Sequence, residues 1–173
     1  MRFAASVGCL LLSLVSCSCA GSATSPGIAM PGAVIRPASC PPAAPRSAPS
    51  PARSELSANV VPPTPVFGTV CRYAGLTPTG QSGTLIRSHV LSHHALATVV
   101  ALLNSPKNAL IAHPETYRCP SDDGAADVVI FDYEAGPPVR VAVDLGGCRF
   151  ASNGVRTIGG FYVGQLLRTW VGG

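Results

Sequence analysis

The chain has 173 residues, 47% hydrophobic and only 12% charged, against roughly 25% charged in an average soluble domain. It carries 17 Pro, 18 Gly and a formal net charge of +4, with Lys107 its single lysine. These values exclude a disordered acidic tail, a coiled coil and an ordinary cytosolic enzyme surface. The length allows one domain with an appendage.

Arg2 is followed by an apolar run from Phe3 to Val15, interrupted only by the hydroxyls of Ser6 and Ser13. That run is too short to cross a membrane as a helix, which takes about 20 apolar residues. It fits the central segment of a signal peptide, here residues 1–16. The run ends in Leu14-Val15-Ser16-Cys17, which resembles a bacterial lipobox. The resemblance implies cleavage before Cys17 and a diacylglycerol on its sulfur. Two acyl chains on one residue hold a protein on a bilayer, whereas one chain binds only marginally. Ordinary secretion is the alternative, with a small-x-small cleavage site at Ser18-Cys19-Ala20. Both routes place the mature protein outside the membrane: on its outer face through the lipid, or secreted.

Residues 17–65 read as the lipidated cysteine and a tether rich in Pro, Ala and Ser. Eleven of the 17 prolines lie between Pro26 and Pro65. Such a stretch lacks the large apolar groups that offset ordering entropy, and proline favours extended unpaired backbone. Leu56, Val60 and Val61 stand out as its first candidate contacts with a folded domain. Residues 66–173 carry seven Arg, one Lys and seven Asp/Glu, a net of +1. A nucleic-acid binder concentrates positive charge on its domain, so that class is excluded.

Within 66–173 the elements follow in order. Val66–Tyr73 is β-branched and aromatic, hence a strand. Gly75–Gly83 is a loop, and Thr84–Leu91 a second strand. Ser92 is placed to cap a helix in which Leu96, Val99, Val100 and Leu103 share one face. Val128–Tyr133 and Val139–Leu145 are strands joined by Glu134-Ala135-Gly136-Pro137-Pro138, a hairpin. Asn153-Gly154 marks a tight turn. Val163, Leu166, Leu167 and Trp170 repeat the helical spacing before Gly172. The expected fold class is α+β: an antiparallel sheet of about four strands with two helices on one face, stapled by disulfides.

Cys40, Cys71, Cys119 and Cys148 are spread along the mature chain. In an exported protein such cysteines read as two disulfides, with three possible pairings. If Tyr133 faces Pro138 across the hairpin, Cys119 and Cys148 meet near its open end, leaving Cys40 for Cys71. Each bridge then closes a loop worth about 3 kcal/mol in the chain-entropy model. Zinc is the competing reading, but its sites favour close C-x-x-C pairs that these four cysteines lack.

Val70-Cys71-Arg72-Tyr73, Ala101-Leu102-Leu103-Asn104, Cys119-Pro120, Phe131-Asp132-Tyr133, Gly147-Cys148 and Asn153-Gly154 occur in an order that resembles a group of small exported proteins of actinobacteria. Cys40-Pro41 ahead of a Val-Pro stretch is similar too. The likeness spans roughly residues 38–157 and leaves out the C-terminal helix. It implies an envelope location and brings no activity, hence no catalytic residue and no cofactor.

The search for chemistry is sparse. His89, His93 and His94 cluster, but no Glu follows His89 as in a zinc-protease helix. His113-Pro114-Glu115 opens like a zinc-deaminase motif without its Pro-Cys-x-x-Cys. Asp122, Asp123 and Asp127 are hard-cation donors without EF-hand spacing, so no metal site is assigned. Gly80-Gln81-Ser82-Gly83 is not a nucleophile elbow, and no glycine-rich loop precedes Lys107. Tyr73, Tyr133 and Arg140 are candidates for one partner-binding sheet face. The leading expectation is therefore a non-catalytic envelope lipoprotein that binds a protein, a wall polymer or a small ligand. A protease inhibitor using Gly75–Gly83 or His113–Asp123 is the alternative. A hydrolase pairing His93 or His94 with an acid in a cleft is the third reading.

Overall fold

Alternating and β-branched sequence dictates the centre of the molecule, and the computed structural model, which describes residues 35–45, 53–76 and 83–171, shows how it closes. The strands are β1 (Phe67–Tyr73), β2 (Leu85–Val90), β3 (Ala126–Asp132), β4 (Val139–Asp144), β5 (Phe150–Ser152) and β6 (Thr157–Gly159). The helices are α1 (His93–Leu103) and α2 (Phe161–Val171). The six strands form one antiparallel sheet in the order β2-β1-β3-β4-β5-β6. The class is α+β, as the sequence pattern leads one to expect, with six strands where about four are legible. β5 and β6 are three residues each, too short for alternation to register.

One sheet face is apolar and carries both helices. Val70, Val129, Phe131, Val141 and Val143 meet Leu96, Val99 and Leu103 of α1 and Val163, Leu167 and Val171 of α2 in one buried cluster. Ser92 caps α1, its Oγ accepting from the Ala95 N–H. Gly68 lets α1 approach β1, since a Cβ there would stand 2.8 Å from Leu96 Cδ1.

The compact unit runs Val34–Gly173, so it starts well before the expected boundary at residue 66. Two pieces of the proline-rich stretch are built into it. Residues 38–44 cross the opposite sheet face, where Ala38, Cys40 and Ala44 cover Cys71, Tyr73, Val128 and Ile130. The Cys40–Cys71 disulfide clamps this crossing, with Cα atoms 5.6 Å apart. Tyr73 Oη donates to Pro41 O, and the Ala38 N–H to Asp132 Oδ2. The second piece, residues 53–66, seals the helical side with Leu56, Val60 and Val61, each at most 1% exposed.

Those three residues join no strand, so their backbone needs other partners. Asn153, 1% exposed, supplies them: its amide nitrogen donates to the carbonyls of Leu56, Asn59 and Val60. Its Oδ1 accepts from the Val155 and Arg156 N–H groups, shaping the β5–β6 turn. Asn104, closing α1, accepts from the Val61 N–H and donates to the Val61 carbonyl.

The β3–β4 hairpin pairs Phe131 with Val139 and Ala126 with Asp144, one residue away from the register with Tyr133 facing Pro138. Pro137 and Pro138 have no N–H for the ladder, so pairing starts at Val139, and Gly136 turns the loop at φ +82°. Cys119 and Cys148 are bonded below the open end, with Cα atoms 4.9 Å apart. Asn153→Ala leaves several buried backbone groups without partners. It is expected to cost about 3 kcal/mol, read as a lower urea midpoint with an unchanged slope.

Candidate functional site

A surface hollow lies where residues 62–66 enter β1. It encloses about 840 Å³ and is lined by Arg53, Glu55, Pro62–Val66, His93, Tyr133, Glu134 and Ala135. A second, more apolar recess of about 320 Å³ shares Thr64, Pro65 and His93 and continues along α1 over Leu96, Ala97, Val100 and Ala101.

The walls are fixed from several directions. Prolines 62, 63 and 65 restrict φ and remove three N–H donors, leaving a stiff, apolar rim. The Val66 N–H donates to Asp132 O at 2.7 Å, joining the rim to the end of β3. Tyr133 Oη donates to Pro62 O at 3.1 Å. The Arg53 guanidinium lies 4.2 Å from the Tyr133 ring centroid and donates to the carbonyls of Ala135 and Pro137. Its charge is thus committed to holding the hairpin tip. Thr64 sits at φ +59°, a left-handed conformation that a β-branched residue rarely adopts. Strain of this kind, of order 1–3 kcal/mol, persists only where the surroundings over-determine the backbone.

His93 is the imidazole at this hollow, exposed at the start of α1. Glu55 and Glu134 also line it. The groove offers apolar rings, a helix surface and scattered hydrogen-bonding groups.

The structure distributes the other sequence candidates. His89 is in β2, while His93 and His94 begin α1. His113 Nδ1 and Glu115 Oε1 are 3.2 Å apart on an exposed 3-10 turn. Asp127, 0% exposed, holds Arg72 through two 2.9 Å bonds. Asp122 and Asp123 instead accept from the N–H groups of Gly124 and Ala125. Among the described residues no three His, Cys, Asp or Glu side chains come together as metal donors. Tyr73 and Arg140 lie on the face crossed by residues 38–44, and Tyr133 packs with the helical core, so the three do not share a face. Cys17 and Gly80-Gln81-Ser82 lie outside the described residues. Arg53, Thr64 and the proline rim escape the sequence reading because composition assigns them to the tether. The signal available is Pro62-Pro63-Thr64-Pro65 running directly into a strand.

The chain matches no family model, no curated protein and no solved structure.

Burial raises the Tyr133 phenol well above its ordinary value of 10.0, with Arg53 acting against the rise and Glu55 adding to it. The folded protein thus keeps this proton to higher pH than the unfolded chain does. The associated stability is complete below pH 10 and is lost as pH rises beyond it. Tyr133→Phe is expected to cost about 1 kcal/mol at neutral pH through the lost bond to Pro62. Its stability is also expected to fall less steeply than wild type above pH 10, in urea titrations at successive pH values.

Proposed function

We propose that this chain is a non-catalytic binding module of the bacterial cell envelope, carried at the outer face of the membrane by a lipid on Cys17. In this reading it is one of the small exported actinobacterial proteins that its sequence resembles. Two disulfides fit an oxidising, extracytoplasmic compartment, and among the described residues no helix is long and apolar enough to cross a membrane. The observation that carries the binding role is the groove between residues 62–66 and α1. Prolines and the bonds to Asp132 and Tyr133 hold its rim, which lowers the ordering cost a ligand meets. Its occupant is an envelope protein, a wall polymer or a small ligand with one apolar side.

Ala97 and Ala101 are exposed on α1 and line the apolar recess. The double change Ala97→Arg and Ala101→Arg fills it with good helix formers while sparing the core. Native envelope fractions passed over the immobilised mature chain should leave a component on wild type that the double variant and a tether-only control do not retain. Equal retention on all three removes the groove from the function. Intact mass of the mature protein from its native host tests the anchor: a diacylglycerol adduct on an N-terminal Cys17 is expected, and an unlipidated chain starting elsewhere overturns it.

A second reading rests on residues 113–123. Tyr117 and Arg118 are exposed in this segment, and Cys119 is pinned to Cys148. A disulfide-anchored exposed loop is a means of presenting a preorganised inhibitory segment to a protease. Inhibition of an arginine-specific serine protease that disappears in Arg118→Ala supports this role. No inhibition by the wild-type chain removes it.

A further inference from the structure

We propose that two copies of this chain pair antiparallel through the open edge of β2, about a two-fold axis at Ser88, forming one continuous sheet. The two edges of the sheet differ in their backbone groups. At β6 the outer edge is covered: the Ile111 N–H donates to Thr157 O at 2.9 Å and the Gly159 N–H to Ala109 O at 3.2 Å. At β2 residues 42–44 cover only the beginning. The Leu85 N–H donates to Pro42 O at 3.0 Å, and the Ala44 N–H to Gly83 O at 2.7 Å. Among the described residues no segment pairs with the outward side of Ile86–Val90.

The direction of the free groups follows from the ladder. The Leu91 N–H donates to Gly68 O at 2.8 Å, toward β1. Antiparallel alternation then turns the N–H and C=O of Val90 and Ser88 outward. Ile86 is 61% exposed and Val90 47%. An edge with unpaired polar backbone and exposed apolar side chains is a template for a further strand.

A second copy is the occupant that the residues select. The strand reads Ile86-Arg87-Ser88-His89-Val90: apolar, basic, hydroxyl, basic, apolar in either direction. About a two-fold axis at its centre this order sets apolar against apolar at both ends, the match an isologous pair needs. With the axis at Ser88, each Ile86 faces Val90 of the second copy, and the two outward-turned Ser88 backbones exchange both their hydrogen bonds. An axis at Arg87 would set two guanidinium side chains opposite each other and use backbone that already bonds β1. With the axis at Ser88, Arg87 faces His89 of the second copy, and its guanidinium is drawn back to Val171 O at 2.7 Å. Residues 42–44, bonded at Leu85, end the pairing and so fix its register.

Ser88→Cys tests the axis directly. Hydrogen-bonded antiparallel partners have Cα atoms about 5.5 Å apart, within disulfide reach. Oxidation of the full mature Ser88→Cys chain is expected to give a covalent dimer, its bridge mapped by peptide mass to the introduced thiol of each copy. Ser57→Cys, exposed on the strap, should give no such self-link. Light scattering of the wild-type chain should show a concentration-dependent dimer, weakened at least about tenfold by Val90→Lys. Mapping of the Cys40–Cys71 and Cys119–Cys148 bridges checks folding of each variant. A wild-type chain monomeric at all concentrations, with Ser88→Cys cross-linking no better than Ser57→Cys, overturns the proposal. A dimer unaffected by Val90→Lys, or one formed only with an added unrelated peptide bound, also overturns it.

Discussion

The fold depends on two side-chain amides that stand in for an absent strand. Leu56, Val60 and Val61 are needed to close the helical side of the core, yet their segment belongs to no sheet. Burying that apolar surface buries its peptide groups as well, and an unpaired buried peptide group costs about as much as a buried side chain gains. Asn153 gathers three of the carbonyls, and Asn104 takes both polar groups of Val61. Because Asn153 also forms the β5–β6 turn and Asn104 closes α1, this strap of residues 53–66 cannot leave without loosening a turn and a helix end. The rim of the groove is the continuation of this strap, so its shape rests on the same two residues.

The opposite face solves a similar problem by covalent means. A single sheet with helices on one side exposes its other face to water. Here Cys71, Tyr73, Val128 and Ile130 make part of that face apolar. A short proline-containing segment has little propensity to stay on it. Cross-linking Cys40 to Cys71 confines the segment in the unfolded chain too, which lowers the entropy lost on folding. Once held, residues 42–44 add a fragment of strand beside β2. One element thereby protects apolar surface and part of a sheet edge.

Much of this was legible in the sequence where periodicity is long and strong. The strands at β1, β3 and β4, the Ser92 cap and both helical faces follow from spacing alone. The pairing of Cys119 with Cys148 follows from hairpin geometry and tolerates the one-residue register difference, because the loop at Cys119-Pro120 absorbs it. What composition concealed was the role of the prolines. A Pro- and Ala-rich stretch signals a tether on average. Three buried aliphatics and two distant asparagines convert its second half into part of the core, and those asparagines lie 43 or more positions away. The groove was illegible for the same reason: Arg53, Thr64 and Tyr133 come from a strap and a hairpin that only tertiary packing brings together.

Thr64 shows how the shape of the groove is held. Its backbone is held at positive φ between Pro63 and Pro65, and the residue before a proline is ordinarily driven to extended conformations. Tyr133, Arg53 and the Val66–Asp132 bond together outweigh that preference. The phenol is bonded to Pro62 and the guanidinium to two carbonyls and a ring. A catalytic site keeps its reactive groups available and exposes them to substrate. A recognition surface instead uses polar groups to lock its shape and leaves apolar area for the partner. The binding role proposed for the groove draws on the second arrangement, with the recess along α1 as the apolar area.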